Sequence, residues 1–441
     1  MNTITVKFGG TSLASAAQIR KAAAIIQADP ARRYVVASAP GKRTKEDIKV
    51  TDLLYRCYNE AEDGDDFTGT LTKIHDRFAD IIRELEVDFD LEGEIAVLKE
   101  HLEHKPSPDY MASRGEYMNS KIIAAYLGYT FIDAAEVIFF QENGALDEQR
   151  TYQTLSMRLM GEERAVVPGF YGSLPDGTIH TFSRGGSDVT GAIVARASVS
   201  QLYENWTDVS GMLSADPRIV ENPRVIDYIT YTELRELSYM GASVLHEDAV
   251  FPVRKAGIPI NIRNTNAPED PGTMIVASLP AVTGRRTITG IAGKKGFSSI
   301  HIEKSMMNSE VGFVARLLKI FADEGLSFEH CPSGIDTISI VINTASFTPH
   351  RDAILHRIRQ DLEPDVVAVE DGLALIAVVG QGMVYSKGTA AKIFAALAGS
   401  GVNIRMIDQG SSELNIIISV DELDFETSLR GIYHAMVNLM K

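Results

Sequence analysis

Cysteine is scarce in this sequence: the 441 residues include only Cys57 and Cys331, far apart in the chain. Two distant cysteines are too few for a disulfide framework or a cysteine metal cluster, and they are typical of free thiols in a reducing compartment. Long apolar runs are also missing, since none approaches the roughly 18–20 residues that a membrane-spanning helix needs. The first residues do not resemble a secretory signal. We therefore expect a cytoplasmic protein that does not contact a membrane.

Positive charge is in deficit as well. The formal net charge is −16, with 43 Lys and Arg against 59 Asp and Glu. Because nucleic acids are bound through clustered Lys and Arg, this balance argues against a nucleic-acid partner. The composition is otherwise that of an ordinary globular protein, 45% hydrophobic and 23% charged. The length predicts roughly two to four domains.

The P-loop pattern G-x-x-x-x-G-K-[ST] is absent, but the first residues predict a different anion-binding loop. Residues 4–8 alternate like a buried strand, the pair Gly9-Gly10 follows, and residues 13–29 have helical spacing. Glycines let backbone N–H groups approach an oxygen closely, and a helix N-terminus carries partial positive charge. Lys7, at the end of the strand, would lie beside a phosphate held there. A tight strand-to-helix turn with a surface lysine is the alternative at this point.

A second loop of this kind spans residues 184–188, which read Arg-Gly-Gly-Ser-Asp and precede a helix predicted over residues 189–198. Arginine can grip a carboxylate or a phosphate through two parallel hydrogen bonds. Glycines, a hydroxyl, Arg184 and Asp188 thus converge at one helix N-terminus. Glycine turns that are only structural do not usually carry both charged residues, so we interpret the segment as a second binding loop.

Two shorter motifs do not support a further cofactor. Residues 380–382, Gly-Gln-Gly, follow a strand like the start of a dinucleotide fingerprint, but Tyr385 stands at the third glycine position. His246 and Glu247 start like a zinc-protease motif, but the second histidine is missing. We therefore predict no metal site formed by the protein alone.

Predicted strands and helices alternate through the first 263 residues, which is typical of an α/β sandwich with a mostly parallel sheet. Residues 113–116 are expected to open a helix, with Glu116 in its first turn. Pro280 and Gly284 then interrupt the pattern, so the first domain is placed at residues 1–285. The main strands after the first are predicted at residues 34–40, 129–140, 165–171, 202–209 and, last, 257–263.

The remaining chain contains an internal repeat at an offset of 76 residues. Residues 312–328 align with 388–404 without a gap, and residues 338–342 fall on 414–418. Each unit has the pattern of a strand, a helix ended by glycine, and two further strands. We therefore predict two small α+β modules of βαββ type, at residues 286–370 and 371–441.

The chain resembles an aspartate kinase of the amino acid kinase superfamily, and the resemblance covers nearly its whole length. The motifs that carry it are residues 7–12, 169–170, 184–188 and 206–209. The tail modules resemble a tandem of ACT domains, the effector-binding modules of amino-acid biosynthesis. The resemblance implies an αβα sandwich of the amino acid kinase type followed by two ferredoxin-like ACT modules.

This resemblance implies that ATP phosphorylates the side-chain carboxylate of L-aspartate, giving 4-phospho-L-aspartate, the first step toward lysine, threonine and methionine. A carboxylate has a reference pKa of about 3.9, so the nucleophile is already ionised and needs no general base. The site must supply positioning and positive charge, with Mg²⁺ on the phosphate oxygens. By resemblance, Lys7 and Asp188 are the catalytic residues, with Asp188 orienting Lys7.

The resemblance also assigns the binding residues. Glu116 would hold the substrate's amino group and Arg184 its α-carboxylate, with Thr51 and Phe170 lining the same side. The chain departs from the family pattern in several places: Ser243 replaces a common lysine, Leu213 a common aromatic residue and Glu247 a common proline, and the loop before Thr51 is longer. These departures affect ATP contacts rather than the reaction. The residues expected at the nucleotide are Lys7, Phe8, Gly9, Gly10, Ser187, Thr207, Asp208, Leu213 and Arg218.

The ACT resemblance implies feedback inhibition at an interface between subunits, hence a homodimer or a dimer of dimers. Glu310 and Glu329 would suit a cationic group, so lysine is the first expected inhibitor and threonine the second. The alternative is that both are solvated loop residues. The expected effector residues are Met307, Glu310, Gly312, Phe313, Val314, Ser327, Phe328 and Glu329.

Two other functions are considered at this point. The chain could be a kinase of another amino acid, such as glutamate, because the glycine-pair loop does not distinguish them. It could also be a catalytically silent amino-acid sensor, although Lys7, Glu116, Arg184 and Asp188 are all intact.

Overall fold

The computed structural model describes residues 2–104, 107–183, 185–242, 245, 247–279 and 286–440. These residues divide into two compact units, each of them discontinuous in sequence. The first unit contains Met1–Met212, Val225–Tyr231 and Val244–Pro280, and the second contains Leu213–Arg224, Thr232–Ser243 and Ala281–Lys441.

An eight-stranded sheet forms the centre of the first unit, in the order β3-β4-β2-β1-β7-β9-β10-β8. Every neighbouring pair is parallel except β9 and β10, and β5 and β6 form a separate hairpin. The mostly parallel α/β sandwich predicted from the sequence is therefore confirmed. The strands are β1 Ile4–Phe8, β2 Arg32–Ala37, β3 Thr130–Phe131, β4 Ala165–Pro168, β5 Tyr171–Ser173, β6 Ile179–Thr181, β7 Leu202–Thr207, β8 Tyr228–Thr230, β9 Ile260–Asn264 and β10 Thr273–Val276.

Helices accompany these strands along the chain. The helix α1 presents Ile19 and Ile26 to a large apolar core shared with α2 to α5, and burying each such side chain stabilises the fold by roughly 1.5–3 kcal/mol. None of the helices in the described ranges is both long and apolar enough to cross a bilayer. The helices are α1 Ala16–Gln27, α2 Val50–Asp63, α3 Thr68–Leu85, α4 Leu91–Glu103, α5 Pro108–Leu127, α6 Ala134–Val137, α7 Glu148–Met160, α8 Gly186–Ala197, α9 Tyr231–Tyr239 and α10 Glu247–Ala256. All of α9 except Tyr231 belongs to the second unit.

Two predicted element boundaries are wrong in this region. Helix α5 begins at Pro108 rather than near residue 113, because the Ser107 hydroxyl caps it by accepting the N–H of Tyr110 and proline is favourable in the first turn. Glu116 therefore lies in the third turn of the helix. The strand predicted at 129–140 stops at Phe131, because the Asp133 carboxylate accepts the N–H of Ala135 and starts α6.

A third prediction fails at the end of the unit, where residues 257–263 were expected to hold the last strand. The strand β9 is present, but β10 follows it as an antiparallel neighbour. The turn between them ends at Gly272, which has a φ of 70°, a conformation that favours glycine. The Pro- and Gly-rich segment thus reverses the chain within the sheet.

The second unit is built on one antiparallel five-stranded sheet in the order β12-β11-β13-β15-β14. Its strands are β11 Gly290–Glu303, β12 Thr337–Asn343, β13 Val366–Val379, β14 Ile404–Asp408 and β15 Asn415–Asp421. Its helices are α11 Phe313–Asp323, α12 Thr344–Phe347, α13 Arg351–Leu362, α14 Thr389–Gly399 and α15 Phe425–Met436.

The internal repeat is visible in the backbone at its predicted offset. Gly312 and Gly388 precede α11 and α14 with φ values of 82° and 83°, and Gly325 and Gly401 follow these helices with φ values of 70° and 73°. The βαββ pattern was incomplete, however, because α13 and α15 add a second helix to each module. In the first module, the strand expected after Gly325 is reduced to isolated bridges.

The two modules share their two longest strands. Residues 290–295 of β11 pair with 374–379 of β13, whereas 299–303 pair with 366–370. Accordingly, Ile291 lies in the core of the second module and Ile300 in that of the first. The boundaries proposed at residues 286 and 371 stay predictions, and the second of them falls within β13.

Candidate active site

Lys7, which is buried, and Asp188, which is half-buried, form an ion pair at the carboxyl end of the central strand β1. The Lys7 Nζ lies 2.5 Å from the Asp188 Oδ1. Side chains alternate along β1, so Val6 and Phe8 enter the core with α1 while Lys7 points toward α8. Asp188 is in the first turn of α8, where the helix dipole favours a negative charge. The structure thus brings together the two residues expected to be catalytic, at the sheet edge where α/β proteins bind ligands.

The turn before α8 is locked against the loop that follows β4. Gly185 caps the helix with a φ of 58°, and a Cβ on Gly169 would lie only 2.5 Å from the Ser187 Oγ. Phe170 has a φ of 81°, unusual for a bulky residue, and its N–H donates to the Thr190 Oγ1 at 3.1 Å. Arg184 lies outside the described residues, so its expected role stays a prediction.

Substituting Gly169 tests how closely these two loops must approach. We expect Gly169→Ala to lower kcat more than tenfold, because the added methyl group displaces Ser187 and the start of α8 by about 1 Å, and such a misplacement can cost about 100-fold. Gly161→Ala is the matched control, since its Cβ would make an ordinary contact at 3.5 Å. Equal activity of the two variants in a coupled ADP assay would contradict the expectation.

The glycine pair after β1 is only partly available to a phosphate. The N–H of Gly9 donates to the Trp206 carbonyl at 2.9 Å, so it continues the sheet and is not the phosphate donor expected from the sequence. Gly10 packs against the chain after β2, so closely that a Cβ added at this position would lie 3.0 Å from the Ala39 carbonyl oxygen. The N–H groups at the start of the short 3-10 helix Gly10–Leu13 are therefore the candidates for binding an anion.

Glu116 is a buried carboxyl group whose Oε2 finds no hydrogen-bond partner within the described part of the chain. Burial raises its pKa to about 8, against the opposing effects of the Ala39 N–H and the positive charges of Arg114 and Lys7. Buried polar atoms are nearly always paired, so this oxygen is open to a partner outside the chain, such as a water or a ligand group. A substrate ammonium group has the right charge and hydrogen-bonding capacity.

The other expected ligand residues are distributed unevenly. Phe8 is buried and stacks on Trp206 with 6.0 Å between ring centroids, so its side chain belongs to the core and does not contact a nucleotide. Thr51 is half-buried in the first turn of α2. Thr207 ends β7 and Asp208 follows it, with the Thr207 hydroxyl donating to the Asp208 carboxylate at 3.2 Å.

Leu213 and Arg218 belong to the second unit, so their expected contact with the nucleotide stays a prediction. Arg218 is bound to Asp216 through several hydrogen bonds, one of 2.6 Å between Nη2 and Oδ2. Lys255, near the end of α10, lies 3.2 Å from the Glu148 carboxylate. Ser243 itself is outside the described ranges.

One polar residue of the site was missed by sequence reasoning. Asn205, on β7, donates from its Nδ2 to the Asp188 Oδ1 at 2.8 Å. Its position could have been inferred only by assuming that β7 lies beside β1, which places Asn205 directly opposite Lys7. Nothing local in the sequence marks that pairing.

The expected effector residues lie in the first module of the second unit. The side chains of Met307 and Phe313 are buried in its apolar core, and their expected contact with an effector stays a prediction. Ser327, Phe328 and Val314 are exposed, and Gly312 caps α11.

Both acidic residues of this group already have partners. The Glu310 carboxylate binds Lys304 Nζ at 2.7 Å and also Arg316, and these bonds lower its pKa. Glu329 accepts a hydrogen bond from the Tyr239 hydroxyl. An incoming cation must therefore compete with these groups.

Comparison with known proteins agrees with this arrangement. The model of the amino acid kinase family matches residues 2–264, and a model of the ACT domain matches residues 376–436. Aspartokinase 3 of Bacillus subtilis is 40% identical, over 97% of this chain and 97% of its own.

Solved structures give the same result. The aspartate kinase of Clostridium acetobutylicum has a TM-score of 0.88 at 50% identity, over 99% of this chain and 100% of its own. Aspartokinase III of Escherichia coli in complex with aspartate and ADP, in the R state, has a TM-score of 0.75 at 25% identity, over 99% and 100% of the chains. Its complex with lysine and aspartate, in the T state, has a TM-score of 0.72 at 25% identity, over 100% of both.

Proposed function

The chain belongs to the amino acid kinase family, and within it to the aspartokinases, and we infer that it transfers the γ-phosphoryl group of ATP to the side-chain carboxylate of L-aspartate. The observation that carries this conclusion is the partly buried Lys7–Asp188 pair in the same unit as Glu116, a buried acid with an orphaned oxygen. The Lys7 cation can neutralise charge on a polyphosphate, and the Glu116 carboxylate can bind the ammonium group of an amino acid. Neither a glutamate kinase nor a silent sensor is favoured by the comparisons.

The reaction requires little covalent help from the protein. The attacking carboxylate of aspartate is ionised at neutral pH, so the site need not remove a proton from it. Phosphoryl transfer then depends on in-line positioning and on positive charge around the moving group. We assign this charge to Lys7, which Asp188 holds at the carboxyl end of β1, and to the N–H groups that begin at Gly10.

The ligands are proposed to lie on two sides of Lys7. Thr51, Glu116, Phe170 and Arg184 would bind aspartate, with the Glu116 carboxylate accepting from the amino group. Phe8 contributes its backbone only, because its ring is in the core. The groups proposed for ATP are Lys7, Gly10, Ser187, Thr207, Asp208, Leu213 and Arg218.

Mg²⁺ is proposed to enter with the nucleotide. Mg²⁺ in kinases is usually bound by one or two carboxylates together with substrate phosphates, and it supplies charge neutralisation on the phosphate oxygens. Asp188 and Asp208 are the carboxylates available at this edge of the sheet. The described residues contain no group of three or more His, Cys, Asp or Glu side chains that could hold a metal ion.

Regulation by lysine is proposed for the second unit, with threonine as the second candidate. The Escherichia coli relative was solved with lysine and aspartate in its T state, and Glu310 and Glu329 are the acidic groups expected to receive a cation. Inhibition requires that the effector bind one conformation better than the other. We also propose assembly through the ACT modules into a homodimer or a dimer of dimers, and a cytoplasmic location.

Tyr239 provides a test of the effector site, because its hydroxyl already donates a hydrogen bond to the Glu329 carboxylate. Burial and the bond to Glu329 raise the pKa of Tyr239 to about 12, so it is a hydrogen-bond donor at neutral pH. We expect Tyr239→Phe to lower the lysine concentration for half-inhibition about fivefold, since a competing hydrogen bond worth about 1 kcal/mol is lost. Glu329→Gln should raise that concentration, and an unchanged value in both variants would exclude Glu329 from the site.

The proposed function is tested by turnover of ATP with L-aspartate, trapping the acyl phosphate with hydroxylamine. Formation of aspartyl hydroxamate that decreases with added lysine supports both the reaction and the effector. Hydroxamate that responds to threonine alone transfers the effector assignment to threonine. Absence of hydroxamate with aspartate, tested beside glutamate and N-acetylglutamate, would contradict the assigned substrate.

A further inference from the structure

We propose that Asn205 is a positioning residue for phosphoryl transfer, which holds the Asp188 carboxylate in place when Lys7 turns from it to the phosphate. This inference rests on the proposed function, because it assumes that Lys7 stabilises the transferred group. It concerns a residue that no sequence motif marks, and it assigns to the strand β7 a role in the catalytic geometry.

The geometry places both donors on one carboxylate oxygen. Strands β1 and β7 are parallel neighbours with Lys7 opposite Asn205, and both side chains point toward α8. The Asp188 Oδ1 accepts from Lys7 Nζ at 2.5 Å and from Asn205 Nδ2 at 2.8 Å. Asn205 is only 4% exposed, so its amide group is available to Asp188 rather than to solvent.

The same strand also fixes the backbone of Asp188. The Tyr203 hydroxyl donates to the Asp188 carbonyl oxygen at 3.1 Å, and Tyr203 packs so closely on α8 that a Cβ on Gly191 would overlap its ring. Tyr203 therefore holds the first turn of α8, and Asn205 holds the side chain that this turn presents. Two residues of β7, separated by one position, thus determine where the carboxylate lies.

The amide is suited to a step in which Lys7 changes partners. A lysine that stabilises the γ-phosphoryl group must weaken its bond to Asp188, and a carboxylate that is largely withdrawn from water, as the 18% exposed side chain of Asp188 is, is destabilised when it loses its partner. The Asn205 amide keeps one hydrogen bond to Asp188 throughout. Because the amide carries no charge, it does not compete with Lys7 for the phosphate, as a lysine or arginine at this position would.

The test compares three substitutions of Asn205 by steady-state kinetics of the full-length protein. Asn205→Ala removes the donor, Asn205→Leu removes it while filling the volume, and Asn205→Asp replaces it with a second carboxylate. We expect Asn205→Ala and Asn205→Leu to lower kcat about 10- to 100-fold, because a misplaced catalytic group typically costs this much. The KM values for ATP and for aspartate should stay within about threefold of those of the wild type. Asn205→Asp should lower kcat at least as much. It should also introduce a further ionisation into the pH profile of kcat, because two adjacent carboxylates cannot both ionise freely.

Asn261 is the matched control, because it is another buried asparagine of this sheet and lies on the adjacent strand β9. Its register partner is Glu204, one residue before Asn205, so its side chain belongs to the opposite face. We expect Asn261→Ala to keep kcat within about twofold of the wild type, since it deletes a buried amide without touching Asp188. Thermal melting of all variants, with and without ATP, separates loss of fold from loss of rate.

Three results would overturn the proposal. The first is a kcat for Asn205→Ala and Asn205→Leu that equals that of Asn261→Ala. The second is recovery of kcat in Asn205→Leu but not in Asn205→Ala, which would indicate packing alone. The third is an effect confined to the KM for aspartate, which would indicate direct substrate contact. Failure of the proposed function is distinguished from all three, because the wild-type protein would then form no aspartyl hydroxamate.

Discussion

Lys7→Met is expected to lower kcat about 1,000-fold while the protein remains folded. Methionine fills the volume of the lysine stem but carries no charge, so the phosphoryl group loses the cation that stabilises it in the transition state. Removing a single preorganised electrostatic group typically costs about 10²–10³ in kcat, and removing a full charge from a phosphoryl-transfer site costs about 10³ or more. The measurement is the rate of aspartyl hydroxamate formation at saturating ATP and aspartate.

A second lysine controls for the loss of a partly buried ion pair. Lys121 is bound to Glu94 and lies over the Tyr117 ring in the first unit, and Lys121→Met is expected to keep kcat within about twofold. The double variant Lys7→Met with Asp188→Asn should be hardly worse than Lys7→Met alone, because residues that act as a unit are not additive. A Lys7→Met enzyme within tenfold of the wild type, or an additive double variant, would remove Lys7 from its catalytic role.

Glu116→Gln is expected to raise the KM for aspartate at least 30-fold, with a smaller change in the KM for ATP. The glutamine cannot offer a negative charge to the substrate's ammonium group, and losing one partner of a buried charged pair costs about 2–5 kcal/mol. Because the volume is unchanged, the effect reports charge rather than packing. A KM for aspartate within threefold of the wild type would show that the amino group binds elsewhere.

The pH dependence of aspartate binding follows from the same residue. Burial raises the pKa of Glu116 to about 8, so the free protein carries mostly the neutral acid below that pH. The substrate must then ionise it, and kcat/KM for aspartate should fall about tenfold per pH unit as the pH drops below 8. Glu116→Gln should lack this slope.

As the pH rises toward 8, the stability contributed by Glu116 should fall, whereas kcat/KM for aspartate should rise. The folded state keeps a proton on Glu116 up to a pH of about 8, whereas the unfolded chain loses it near 4.5. The folded state therefore binds more protons between these values, and stability contributed by this group falls as the pH rises through that window. We expect Glu116→Gln to melt higher than the wild type at pH 8 and to lose this advantage near pH 5.

Glu148→Gln is the matched control for melting. Burial would raise the pKa of Glu148, but its bonds to Lys255 and Arg196 outweigh burial and lower it. Its ionised form thus stabilises the fold at neutral pH, and its replacement should lower the melting temperature there. If both variants shift in the same direction at pH 8, the raised pKa of Glu116 is contradicted.

Local chemistry made the binding loops predictable from the sequence. The alternation of residues 4–8 indicated that Lys7 would lie at the end of a buried strand, and the glycines before Asp188 indicated a helix start. Both statements depend on residues adjacent in the chain. The repeated glycines at an offset of 76 residues were informative for the same reason, because a left-handed backbone at a helix end has a direct sequence signal.

Features that depend on distant pairing were not predictable in this way. Asn205 reaches Asp188 only because β7 pairs in register with β1, and the burial of Glu116 depends on α5 packing beside the chain after β2. Similarly, the bond between the Gly9 N–H and Trp206 arises from the same strand pairing. The missed start of α5 is different, since Ser107-Pro108 is a local capping signal that was present in the sequence.

The two strands shared by the ACT modules restrict how this enzyme can be rebuilt. A chimera joined at residue 370 would cut β13 in the middle and would leave each half of the hybrid with a foreign strand segment in its sheet. The junction also lies beside Gly372, which has a φ of 75°. The matching Gly296 in β11 has a φ of 89°, and both glycines would have to be preserved. Inhibitor specificity can therefore be transferred between relatives only by exchanging both modules together.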